Sequence, residues 1–145
     1  MRRTMLQGMG AGTMVSALAG VHGLAQAAVS AQTDDGVVYE LRVYHTYEGK
    51  LNDLLARFRN HTMTIFKRHG MESVAYWTPT DDPLAGKTLF YMLRHPSRAA
   101  ATANWAAFRD DPEWKQVSAA SEANGKLVEK TESTFLQLTD FSPHL

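Results

Sequence analysis

Cysteine is absent from the 145 residues, so no disulfide staples the fold. The same absence excludes thiolate metal sites and cysteine nucleophiles. An excess of charge of either sign is also missing, since 15 Lys and Arg stand against 15 Asp and Glu. A nucleic-acid binder would normally carry a basic excess, so nucleic acid is not an expected partner. None of the six histidines stands at H-x-x-x-H spacing, and no dedicated metal site is expected. No Ser-His-Asp order, P-loop or G-x-G-x-x-G is present, and no cofactor is implied. The apolar stretch over residues 5–24 is interrupted by Gly8, Gly10, Gly12, Gly20 and Gly23. It lacks the solid block of Leu, Ile or Val that a transmembrane helix needs.

What is present begins with Arg2-Arg3, ahead of that glycine-diluted stretch. Two guanidiniums at the extreme N-terminus form the positive region of an export signal. Ala25-Gln26-Ala27 fits small-x-small cleavage before Ala28, with Ser30-Ala31 as a second choice. A weakly apolar core behind paired arginines favours the twin-arginine route over an ordinary secretory signal. Residues 1–27 are therefore read as an export signal, residues 28–36 as a linker and residues 37–141 as one domain. The expected location is periplasmic or secreted, with no stable membrane span after cleavage. Losing Arg2 and Arg3 leaves the mature chain slightly acidic.

Residues 37–45 alternate as a strand, with Tyr39, Leu41 and Val43 on one face and Val38, Glu40, Arg42 and Tyr44 on the other. After Gly49, Leu51, Leu54, Leu55, Phe58, Thr62, Ile65, Phe66 and His69 recur at helical spacing. One long amphipathic helix is expected, ended by Gly70, with Lys67, Arg68 and His69 favoured in its last turn by the helix dipole. Residues 71–78 and 88–94 read as two antiparallel strands joined by a turn around Asp81-Asp82-Pro83 and Gly86. Ser97 should cap a second helix with Ala101, Trp105 and Phe108 on its buried stripe. Asp111 and Pro112 start a further helical segment that fades near Asn124-Gly125. Residues 131–138 alternate weakly as a last strand.

The order is β-α-β-β-α-β, an α+β ferredoxin-like arrangement: a four-stranded antiparallel sheet with the helices on one face. The other face keeps Trp, Tyr, Phe and Met. An uncovered sheet face this apolar is normally buried against another sheet. A homodimer is therefore expected, closing two sheets into a dimeric α/β barrel with a cavity in each half.

Three segments resemble the NIPSNAP family. They are Tyr39-Glu40-Leu41-Arg42-Val43-Tyr44 with Gly49-Lys50-Leu51, then Phe66-Lys67-Arg68-His69-Gly70-Met71, and Phe108-Arg109-Asp110-Asp111-Pro112-Glu113-Trp114. The resemblance covers residues 37–138. It implies the dimeric α/β-barrel fold, a group that includes cofactor-free monooxygenases, isomerases and haem proteins. It does not imply one reaction.

Glu40, Arg42 and Tyr44 are expected on the face away from the helices, lining the dimer cavity. There Arg42 could hold an anionic group while Glu40 or Tyr44 moves a proton, or the pair could simply complete the interface. His61, at the edge of the apolar stripe, is either a cavity ligand or a half-buried histidine satisfied by backbone or water. Tyr76 and Trp77, with Phe90, Tyr91 and Met92, could contact a flat apolar ligand or serve as core. His45 and His95, each ending a strand, could meet at one rim as an acid-base pair or face solvent. The leading functional reading is an exported protein that binds a small, partly apolar or anionic ligand. The alternatives are a cofactor-independent monooxygenase or isomerase of the same shape, or a haem-binding protein.

Overall fold

The computed structural model describes residues 36–145. The segments read as an export signal and most of the expected linker lie outside the described residues. Strands β1 (Val38–Thr46), β2 (Glu72–Trp77), β3 (Thr88–His95) and β4 (Val128–Leu136) form one antiparallel sheet in the order β2-β3-β1-β4. Helices α1 (Leu51–Arg57) and α2 (Met63–Arg68) are joined by a π-helical turn, Phe58–Thr62. Helices α3 (Arg98–Asp110) and α4 (Pro112–Ser121) follow β3. This is the expected α+β architecture, with α1, α2 and α3 on one face of the sheet and α4 packed on the outside of the helical layer.

β3 shows the layering most clearly. Leu89, Tyr91, Leu93 and His95 are fully buried beneath the helices, whereas Phe90, Met92 and Arg94 on the opposite face are half-exposed. Phe66 stands at the centre of the core, with the rings of Phe58, Tyr91, Trp105 and Phe108 between 4.9 and 6.1 Å from it. The Phe58 and Trp105 rings meet it edge-on, Phe108 is tilted and Tyr91 is stacked, geometries that suit the ring quadrupoles.

The long helix expected after Gly49 runs without interruption over residues 51–68, but it is not α-helical throughout. The π-helical turn inserts an extra residue, so the stripe rotates as it passes Phe58. The Thr62 hydroxyl donates to the Arg57 carbonyl at 3.3 Å and supports the widened turn. Phe58 and Thr62 stay buried, while Asn60 and His61 turn outward. β4 begins at Val128, earlier than the sequence pattern indicates. It is an edge strand exposed on most of its length, so burial leaves little alternation to read.

Gly70 follows the end of α2 at φ +73°, and a Cβ there would lie 3.3 Å from the Asn104 amide. Both conditions favour glycine. Ser97 caps α3, its hydroxyl accepting from the Ala100 N–H at 3.0 Å.

Asp111 caps α4 by accepting from the N–H groups of Glu113 and Trp114. Its other oxygen lies 2.7 Å from Arg68 Nη2 and 2.6 Å from His69 Nε2. Two of the family-like segments therefore meet at one carboxylate, which Arg68 and His69 hold far below the usual carboxylate range. Asp111→Ala removes the cap and the clasp together, whereas Asp111→Asn keeps only the cap. Thermal melts should rank wild type above Asp111→Asn, and Asp111→Asn above Asp111→Ala.

Candidate functional site

Glu40, Arg42 and Tyr44 face the helices, which corrects the expectation that they line the outer face. Both faces of β1 carry polar and apolar side chains, so alternation alone does not orient it. The orientation follows from partners. The Glu40 carboxylate is almost completely buried and accepts from four side chains. These are Arg42 at 2.8 Å, Trp105 Nε1 at 2.7 Å and Ser133 at 2.8 Å, with His95 Nε2 at 2.9 Å. Burial alone would raise its pKa, but these contacts outweigh burial and hold it down at about 2.

Arg42 lies over the Trp105 ring, 4.3 Å from its centroid, and donates to the Tyr44 hydroxyl at 3.2 Å. Tyr91 donates to the same hydroxyl at 2.9 Å. Burial opposes the Arg42 charge, yet the Tyr44 and Tyr91 oxygens and Glu40 keep it more firmly protonated than a free arginine. A polar chain thus runs from His95 through Glu40, Arg42 and Tyr44 to Tyr91, inside the aromatic core. Burial drives the Tyr91 hydroxyl well above its ordinary pKa.

The histidine pair does not form. Antiparallel pairing sets Val38 opposite His95 and His45 opposite Thr88, so the two histidines lie at opposite ends of the sheet. His95 is fully buried against Glu40, whereas His45 approaches Glu132 at 3.6 Å. Tyr76 faces the helices, stacked on Tyr91 at 5.5 Å and bonded to Ser73 at 2.7 Å. Trp77 is on the opposite face, about half-exposed, beside Phe90. The structure therefore divides these two aromatics between core and outer face.

A cleft of about 640 Å³ lies between α1, the π-helical turn and α4. His61 lines it, together with Asn60, Gln116 and Val117. Its most unusual lining residue is Arg57, whose side chain is 6% exposed. Arg57 Nη1 donates to Ser121 Oγ at 3.2 Å and lies 3.7 Å from Glu122 Oε1. Its Nε is buried without a partner, and the guanidinium carbon stands 5.1 Å from the Trp114 ring centroid. Burial lowers its pKa from the usual arginine value, against the pull of Tyr44, Glu122 and Tyr91.

Sequence reasoning overlooked Arg57 and treated Trp105 as packing alone. Arg57 follows Leu54 by three residues, so a charge stands beside the apolar stripe of α1. That is a usable signal. For Trp105, the signal is that a buried indole N–H needs an acceptor. Among the described residues, no group of three or more His, Asp or Glu side chains is placed to hold a metal ion. No helix of the described residues is long and apolar enough to cross a membrane.

A four-stranded antiparallel sheet with helices on one face and a polar chain buried between the layers defines the class. The NIPSNAP family pattern matches residues 39–143, and the chain belongs to that family. Its fold is similar to a NIPSNAP-like domain protein from Burkholderia xenovorans, at 16% identity and TM-score 0.65, covering 77% of this chain and 92% of that one. It is also similar to a NIPSNAP family protein from Agrobacterium tumefaciens, at 22% identity and TM-score 0.65, covering 74% and 97%. A more distant likeness is to SnoaB, a cofactor-independent oxygenase from Streptomyces nogalater, at 13% identity and TM-score 0.50, covering 75% and 99%. No match is found among curated proteins.

Proposed function

We propose that this chain is an exported, dimeric binding protein for a small molecule with an anionic end and an apolar body. Its ligand sits in the cleft between α1 and α4 rather than on the sheet face. The observation that carries this reading is Arg57: a guanidinium with an unpartnered Nε, buried against a cleft of about 640 Å³. Buried charges are normally paired and fully hydrogen-bonded, so a ligand is the natural complement. Native mass spectrometry of the purified protein should release a small organic acid. A protein that carries none and shifts no cleft resonance across an organic-acid library would sink the reading.

The dimer reading rests on the outer sheet face, where Leu41, Phe90, Met92 and Trp77 are only partly covered. Sedimentation at micromolar concentration should give two copies, and Leu41→Glu with Met92→Glu should give one. A stable monomer of the unaltered chain would refute it. The export reading rests on Arg2-Arg3 and the weakly apolar stretch behind them. A reporter fused to residues 1–35 should leave the cytoplasm, and replacing both arginines with lysine should retain it.

One observation favours turnover as a second reading. The Tyr44 hydroxyl accepts from both Arg42 and Tyr91, an arrangement able to stabilise negative charge at that oxygen. A cofactor-independent oxygenase or isomerase would use such a group on an enolisable substrate. Oxygen uptake or isomerisation abolished by Tyr44→Phe would support it. The haem reading has only His61 on the cleft wall behind it, and a Soret band after loading with haem is its test.

A further inference from the structure

We propose that Glu122 is a displaceable internal counter-ion: it holds the place that a ligand's single carboxylate takes on Arg57. The proposal rests on the cleft-binding reading and names the class of ligand, a monocarboxylate with an apolar body.

Three observations carry it. Glu122 Oε1 stands 3.7 Å from Arg57 Nη1, too far for a good hydrogen bond. The carboxylate is about one-third exposed while the guanidinium is 6% exposed, so the two are unequally committed to the contact. Glu122 also occupies the C-cap of α4, where the helix dipole disfavours negative charge. A loose, half-solvated pair of this kind contributes little and separates readily. Arg57 has no such freedom, with Ser121 on Nη1, Trp114 across its face and Nε unpartnered.

The remaining charges define what fits. Glu113 on the cleft wall pairs with Arg68 at 2.8 Å but shares that guanidinium with Asp111. Asp53, one turn before Arg57 on α1, adds a negative charge to the lining and makes no ion pair among the described residues. Lys50 Nζ is directed to the Asn124 carbonyl at 3.1 Å. One guanidinium therefore faces a rim that repels a second anion, while Ala56, Val117 and Ala120 provide apolar wall. A monoanion suits this cleft and a dianion does not.

The test uses NMR titration of the protein with hexanoate, its neutral counterpart hexanamide and the dianion adipate. Hexanoate should shift the amides of Arg57, Asn60, His61 and Ser121, with adipate binding more weakly. Glu122→Gln keeps the side chain's size and removes its charge. It should bind hexanoate roughly threefold more tightly, the range expected for losing a weak competing ion pair. Hexanamide binding should not change, and the gain should shrink in high salt. Arg57→Lys should weaken hexanoate about tenfold, since the ammonium lacks the planar fork. Hexanoate binding in the cleft with equal affinity for wild type and Glu122→Gln would overturn the counter-ion proposal and leave the cleft reading intact. So would hexanamide binding as tightly as hexanoate. Silence of the cleft resonances toward all three probes in both proteins would overturn both readings.

Discussion

Replacing Glu40 with alanine should cost about 3–5 kcal/mol of stability, the range for breaking a buried ion pair by removing one partner. The loss arises because Arg42, His95, Trp105 and Ser133 all direct donors at one nearly inaccessible carboxylate. Without it, the Arg42 charge keeps only Tyr44 and the Trp105 face, and the His95 ring loses its one partner. For a domain of this size the melting temperature should fall by roughly 15–25 °C. Glu40→Gln, which preserves shape, should lose less but turn an amide donor toward existing donors. A Glu40→Ala protein that melts within a few degrees of wild type would show that the carboxylate is not a structural hub.

The same group makes stability depend on acid. Its folded pKa of about 2 lies below the ordinary 4.5. A depressed carboxylate contributes fully above the unfolded value and loses that contribution as pH falls through the folded one. Urea midpoints should therefore hold above pH 4.5 and decline toward pH 2, with a shallower decline in Glu40→Ala. Asp111, also held low, titrates in the same acid range, so the comparison is cleanest in an Asp111→Asn background.

Phe66→Ala should cost a comparable amount, about 3–5 kcal/mol, by a different route. Phe66 is 1% exposed and joins α2 to β3 and α3 through Tyr91, Trp105 and Phe108. Removing its ring leaves a cavity that rigid aromatic neighbours cannot collapse into, with no polar partner disturbed. The pH profile of Phe66→Ala should therefore parallel wild type at a lower level, unlike that of Glu40→Ala. Denaturant unfolding at pH 7 and pH 3 separates the two cases. If Phe66→Ala also changed the slope with pH, packing and the polar chain would be one coupled unit.

The element order was legible because the relevant signals are local. Ser97, Asp111 with Pro112, and Gly70 mark helix ends through their own backbone and side-chain chemistry. The alternation in β1 likewise follows from period-two geometry. The π-helical turn inside the first helix was not legible, since it leaves the apolar spacing nearly unaltered while shifting Asn60 and His61. β4 was blurred because an exposed edge strand has no buried face to impose a pattern.

The candidate site was legible in its members more than in its geometry. Glu40, Arg42 and Tyr44 were identified as one group from their shared strand face, and they do form one chain. Their side of the sheet was misassigned because a mixed strand reads equally well in both orientations. Arg57 was overlooked because its significance lies in what surrounds it: a cleft wall, a tryptophan face and a loose carboxylate.

From the amino-acid order alone come the absence of disulfide chemistry, the strand and helix sequence and the caps that delimit several elements. These depend on residue identity and on contacts only a few positions apart. The tertiary structure alone decided that His95 and Trp105 meet Glu40, and that Arg68 and His69 meet Asp111. It alone placed Arg57 beneath an open cleft. Those pairings join residues more than 40 positions apart, and long-range electrostatics and burial exist only once the layers have packed.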